Sequence, residues 1–145
     1  MPERTAQAEW RGNLRDGRGT MSFGSGAYQG EYTYASRFEQ GRGTNPEELI
    51  GAAHAGCFSM ALAGDLARAG HVPERIRTTS HVHLEVGAAG ANITRVVLDC
   101  EAEVADLDET TFKEFAEMAG RTCPVSKALT GVEVVVNARL HGMNE

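Results

Sequence analysis

Three thiols stand in the sequence, Cys57, Cys100 and Cys123, with no Cys-x-x-Cys pair and no cysteine–histidine spacing of a zinc finger. Thiols scattered in this way are either inert core residues or redox groups, and each reads differently. Cys100 lies between Leu98 and Ala102 on the apolar parity of an alternating segment, which makes it a small buried hydrophobe. Cys123 precedes Pro124. If Pro124 opens a helix, Cys123 is its N-cap, where free N–H groups and the helix dipole favour a thiolate; the alternative is a chance cysteine in a turn. Cys57 sits in an apolar run with Ala53, His54, Met60 and Ala61 nearby. Burial there raises a thiol pKa, so a reactive Cys57 needs a cation from elsewhere in the fold. Local physics names Cys123 as the more acidic of the two.

Other side chains compete for a role. His54 lies three residues before Cys57 on the same helical face, so the two are either a nucleophile–base pair or a thiol beside a packed histidine; no third, orienting group is evident. His81 and His83 share one strand face with Glu85, as a metal pair or as a solvated face would. Glu47 and Glu48 read locally as acids at the positive end of a helix.

The elements that must position these groups follow from periodicity. Short extended pieces, Ala8–Arg11, Gly19–Phe23 and Glu31–Tyr34, are separated by Gly/Asp/Asn turns. Thr44-Asn45-Pro46-Glu47-Glu48 then supplies a cap, a first-turn proline and first-turn acids. The helix it starts runs to about Ala69, with Gly70 as its stop. Alanine and glycine on most of its faces imply burial nearly all round. Val82, Leu84 and Val86 alternate with His81, His83 and Glu85. Beyond the Gly87–Gly90 turn, Val96, Leu98, Cys100, Ala102 and Val104 alternate with mostly polar residues. A second helix starts at Asp108, stapled by Leu107 onto Phe112, with the stripe Phe112, Phe115, Ala116 and Ala119 and a stop at Gly120. A short helix from Pro124, closed by Gly131, and a last strand from Val132 to Leu140 complete the order βββ-α-ββ-α-α-β. That order is an α+β fold with sheets around one unusually apolar helix.

Bulk properties narrow the function classes. The chain has 145 residues, 41% of them hydrophobic, which suits a single domain spanning 1–145. A formal net charge of -6 without a Lys/Arg block argues against nucleic acid, whose phosphates require clustered cations. The N-terminal residues lack the apolar core of a signal peptide, so a cytoplasmic protein is expected. The charge-free run Leu49–Gly64, 16 residues interrupted by three glycines and His54, reads as too short to span a bilayer, and no membrane partner is expected.

Four groups of residues carry a resemblance. Arg37-Phe38-Glu39, Gly43-Thr44-Asn45-Pro46-Glu47-Glu48-Leu49 and Ala52-Ala53-His54-Ala55-Gly56-Cys57-Phe58-Ser59, followed later by Cys123-Pro124-Val125-Ser126, closely resemble the osmotically inducible protein C (OsmC) branch of the OsmC/organic hydroperoxide resistance (Ohr) family. The element order agrees along nearly the whole chain. The resemblance implies an OsmC-like fold, with antiparallel sheets wrapped around a buried central helix plus a second helix, in an intertwined homodimer. It also implies a peroxidase reducing organic hydroperoxides in oxidative and osmotic stress defence. Cys57 is then the peroxidatic residue and Cys123 the resolving one, the pair closing a disulfide. Glu47 of the Asn-Pro-Glu motif and an arginine serve the thiol. Arg37 fills that role in the OsmC branch, whereas the Ohr branch draws its arginine from a motif that Arg15-Asp16-Gly17 resembles; the OsmC-like surroundings favour Arg37. No metal and no organic cofactor are implied. The reductant would be an external dithiol, a dihydrolipoyl group on a lipoylated protein rather than thioredoxin.

The residue chemistry fits these roles. A guanidinium stabilises a thiolate and hydrogen-bonds peroxide oxygens, and a carboxylate fixes its fork. Glu47 and Cys57 lie ten residues apart on one helix, however, about 15 Å along its axis. Either the long arginine spans that gap or Glu47 comes from a second subunit. Two other readings compete: a non-catalytic protein of the same fold holding a lipid-like ligand in an apolar cleft, and a Cys57/His54 hydrolase or acyl-transferase that would not need Cys123.

Overall fold

In the computed structural model the structure describes residues 2–141. The elements are β1 (Ala6–Arg11), β2 (Arg18–Phe23), β3 (Gln29–Tyr32), α1 (Tyr34–Phe38), α2 (Pro46–Arg68), β4 (Arg75–Gly87), β5 (Gly90–Glu103), α3 (Glu109–Thr122), α4 (Pro124–Ala128) and β6 (Glu133–His141). They group into two compact units, Met1–Leu49 and Ile50–Glu145.

The first unit is an antiparallel β1-β2-β3 sheet followed by α1 and the first turn of α2. Trp10 and Tyr32, from opposite edges of the sheet, stack at 5.3 Å between ring centroids. The extended reading of Glu31–Tyr34 stops early, because Thr33 caps a helix. Its Oγ1 accepts from the Ser36 N–H at 3.1 Å while Ser36 Oγ accepts from the Thr33 N–H at 2.8 Å.

The second unit stacks helices on a three-stranded sheet in the order β4-β5-β6. Phe58, Leu62 and Leu66 of α2 share a core with Val96, Leu98, Cys100 and Ala102 of β5, Val104 just beyond it, and Phe112, Ala116 and Ala119 of α3. The β5 and α3 positions, with Val104, are those the two periodicities nominate; the α2 stripe is not singled out in the sequence. Helix α2 ends at a glycine stop: Gly70 takes φ +91°, the His71 N–H reaches Leu66 O and the Gly70 N–H reaches Ala67 O.

Several expectations need correction. The second sheet is mixed, not antiparallel: β6 lies parallel to β5, since α3 and α4 carry the chain back to the end where β5 began. Gly120 does not end α3. It is buried in the helix against β6, where a Cβ would lie 2.5 Å from Val136 Cγ2, so the missing side chain lets α3 approach the strand. Val86 is exposed beyond a register shift at His83/Leu84, which breaks the alternation that puts Val82 and Leu84 inward. Helix α2 is not buried all round in the single chain, because Ala52, Ala53, Gly56 and Met60 form an exposed stripe. At 23 residues it is also long and apolar enough to cross a membrane by length and composition. The core contacts of Phe58, Leu62 and Leu66, not its length, give it an interior role.

Candidate active site

In the first unit, hydrogen bonds stitch α1 to the start of α2. Asn45 caps α2, its Oδ1 accepting from the Glu48 N–H at 2.7 Å, while its Nδ2 donates to Ser36 O at 3.0 Å. Ser36 Oγ donates to Thr44 O at 2.7 Å, and Thr44 Oγ1 donates to Glu48 Oε1 at 2.7 Å. This stitching aims the last turn of α1 at the first turn of α2. Arg37 Nε donates to Glu47 Oε1 at 3.0 Å and Oε2 at 3.3 Å, and Nη2 donates to Oε1 at 2.7 Å. Oε1 thus accepts from two guanidinium nitrogens, a charge-assisted contact that ties arginine to carboxylate. Glu47 is almost buried, whereas about a third of the Arg37 side chain faces water (9% and 36% exposed). Arg15 instead lies over the Tyr34 ring, 4.4 Å from its centroid.

In the second unit, α2 brings Cys57 beside the junction of α3 and α4. Cys123 is both the C-cap of α3 and the N-cap of α4, as the Cys-Pro step leads one to expect. Its Sγ accepts from the Ser126 N–H at 3.4 Å and donates to Ser126 Oγ at 3.2 Å. All three cysteines are free thiols: Cys57 is half-buried, Cys100 and Cys123 are buried. Cys57 and Cys123 are near enough to affect each other's ionisation. Burial pushes the Cys57 thiol up, the Val125 N–H pulls it down, and Cys123 pushes it up again as hydrogen-bond partner and as like charge. Cys100 is pushed up to about 11, chiefly by burial, as befits an inert core thiol.

His54 does not pair with Cys57. The ring is fully buried and its Nε2 lies 2.7 Å from Ser126 Oγ, while Nδ1 has no partner among the described residues. Ser126 therefore joins the cysteine cluster, and sequence reasoning assigned it no role. The available signals were its place three residues after the N-cap Cys123 and the need of a mid-helix histidine for a partner. His81, weighed as a metal ligand, bonds Asp99 at 2.9 Å. A cleft of about 580 Å³ lies elsewhere, lined by Arg77, Asp99, Glu101, Lys113 and Arg139. Its charged walls do not suit a lipid-like ligand.

Known proteins share this arrangement of sequence and fold. Residues 39–137 match the family described as OsmC-like protein. Over 124 residues the chain is 48% identical to peroxiredoxin OsmC of Escherichia coli (strain K12), covering 85% of this chain and 87% of that one. In fold it is similar to the organic hydroperoxide resistance protein OhrB of Bacillus subtilis, with a TM-score of 0.68, 25% identity, and coverage of 92% of this chain and 97% of that one. An OsmC-like protein of unknown function from Vibrio cholerae superposes with a TM-score of 0.74 at 17% identity, over 95% of this chain and 99% of that one. Motifs, element order and identity along most of the length agree, and the chain belongs to the OsmC-like protein family.

Proposed function

We propose that this chain, a cysteine-based peroxidase by its family and its identity to a peroxiredoxin, reduces organic hydroperoxides to alcohols through a Cys57 sulfenic acid and a Cys57–Cys123 disulfide. The carrying observation is a pair of free thiols, one on α2 and one at the α3–α4 junction, near enough to affect each other's ionisation. The Cys57 thiolate attacks the outer peroxide oxygen; the O–O bond breaks, the alcohol leaves with a proton, and Cys57 holds the OH. Cys123 then attacks the Cys57 sulfur, the S–O bond breaks and water leaves. An external dithiol, of the dihydrolipoyl kind, restores both thiols. The residues need neither metal nor organic cofactor for these steps.

Arg37, held by Glu47, is the counter-charge in this proposal. Cys57 is pushed up by burial and by Cys123, so a thiolate at neutral pH requires a cation. Arg37 is held by Glu47 with about a third of its side chain exposed, whereas Arg15 is occupied with Tyr34. The exposed stripe Ala52, Ala53, Gly56 and Met60 on α2 supports a homodimer, in which each Arg37–Glu47 pair serves a Cys57 across the interface. The family match over residues 39–137, which takes in parts of both units, supports a single domain. A cytoplasmic stress-defence role completes the reading.

Steady-state reduction of cumene hydroperoxide with dihydrolipoamide, set beside thioredoxin, tests it. Activity should vanish in Cys57→Ser, and mass spectrometry after one equivalent of peroxide should find the Cys57–Cys123 bridge. A Cys57–Cys100 bridge, or full activity in Cys57→Ser, would overturn the reading.

A further inference from the structure

A buried thiol that must attack as a thiolate has to lose its proton, and Cys123 is only 1% exposed. Water cannot take the proton easily, but a hydrogen-bonded line leads away from the sulfur. Cys123 Sγ donates to Ser126 Oγ at 3.2 Å, and Ser126 Oγ lies 2.7 Å from His54 Nε2. The line joins the start of α4 to the middle of α2 within one unit, and it ends on an imidazole with no exposed atom. Burial pushes His54 below the usual histidine range, so the ring is neutral and its Nε2 can accept. The bland account is that Ser126 only satisfies one nitrogen of a buried ring. Among the described residues Nδ1 has no partner, which that account does not explain.

We propose that Ser126 and His54 form a proton relay for the resolving thiol Cys123. The proposal rests on the peroxidase reading and adds residues to its second step. As the Cys123 sulfur attacks the Cys57 sulfenic acid, its proton passes to Ser126 Oγ while the Ser126 proton passes to His54 Nε2. The S–S bond forms, the S–OH bond breaks, and the departing hydroxide recovers a proton from the imidazolium to leave as water. Protons and electrons balance: one sulfenic acid and one thiol give one disulfide and one water. No outside oxidant is involved. Burial makes the imidazolium short-lived, so the relay resets once the hydroxide is gone.

Rapid-quench mass spectrometry, with a sulfenic acid trap, separates the two steps. Ser126→Ala breaks the line, His54→Gln keeps a hydrogen-bonding side chain that cannot take up the proton, and Ser126→Thr restores the hydroxyl. Circular dichroism first establishes that each is folded. Sulfenic acid at Cys57 should form at the unsubstituted rate in all three. Disulfide closure should be at least tenfold slower in Ser126→Ala and His54→Gln, since general-base help is commonly worth about 10²–10⁴-fold. Ser126→Thr should recover most of it. A structural role alone would not spare the first step, slow the second and allow rescue by threonine. In the unsubstituted protein, closure should also slow in heavy water, by a factor that falls in any relay variant that folds. Closure at the unsubstituted rate in both variants, or a heavy-water factor the variants leave unchanged, sinks the relay alone. A protein that forms no Cys57 sulfenic acid at all sinks the peroxidase reading and the relay with it.

Discussion

Truncating the two partners of the Arg37–Glu47 fork should have unequal effects, because the two ends are unequally buried. Arg37→Ala strands a carboxylate whose side chain is 9% exposed and removes the three N–H···O contacts it accepts from Arg37. Breaking a fully buried pair costs about 3–5 kcal/mol. The Arg37 side chain is 36% exposed, so water screens the pair and the figure falls to about 2 kcal/mol. Glu47→Ala strands a guanidinium that water already reaches. It should cost about 1 kcal/mol, the lost charge-assisted bonds and the lost acid at the start of α2 included. Since both truncations remove the same fork, the double variant should be less destabilised than the sum, with a coupling of about 1 kcal/mol. Urea unfolding at one fixed protein concentration measures all four corners of the cycle. The same variants read function, because Arg37→Ala should shift the alkylation profile of Cys57 to higher pH while Arg15→Ala leaves it in place. Equal costs for the two truncations, or strict additivity, would refute the argument from burial. A profile moved by Arg15→Ala and not by Arg37→Ala would reassign the counter-charge.

Three further outcomes are expected. Cys100, pushed up to about 11, should stay unlabelled by iodoacetamide at neutral pH, and Cys100→Ala should keep full peroxidase turnover; peptide mapping that finds it labelled as fast as Cys57 would contradict this. Its folded value lies above the reference of 9.0, so its share of stability is whole below that pH and is lost as pH rises through about 11, a loss Cys100→Ala should not show. Gly120→Ala should destabilise by about 1–3 kcal/mol despite alanine's better helix propensity, because the added carbon meets Val136 Cγ2; a raised melting temperature would show that α3 can back away from β6. Mixing Cys57→Ser chains with Glu47→Ala chains should restore activity if each site draws on two chains, since one site of a mixed dimer then keeps every group, and a chain that stays monomeric by light scattering would end that idea.

The sequence was most readable where one residue type has one physical consequence. Asn45-Pro46 opening α2, Gly70 closing it, Asp108 capping α3, Cys123-Pro124 opening α4 and the alternation Val96–Val104 all appear where their chemistry puts them. Missed features depend on partners distant in the chain. The direction of β6 relative to β5 leaves no mark on its alternation. Gly120 reads as a stop until Val136 is known to press on it. Helix α1 hides because Thr33 and Tyr34 suit a strand and its cap uses Ser36 in place of the usual acidic or amide residue. Ser126 is invisible as a functional residue because its partner His54 is 72 positions away.

Cys-Pro-Val-Ser shows how few residues are needed to prepare the two sulfurs that the proposed function gives different duties. Proline at the first helical position has no N–H to satisfy and ends α3 one residue earlier, so the chain turns at Cys123. The next two N–H groups are then free of intrahelical partners. That of Val125 pulls the Cys57 thiol on α2 down, and that of Ser126 donates to Cys123 itself. One five-residue helix therefore acts on both thiols, and the Ser126 side chain links the second to His54. An N–H bond favours a thiolate but does not outweigh burial, as the raised Cys57 thiol shows. On the proposed peroxidase reading the negative charge on the attacking sulfur then calls for a cation, and Arg37, held by Glu47 and partly exposed, is the arginine the proposal assigns to it.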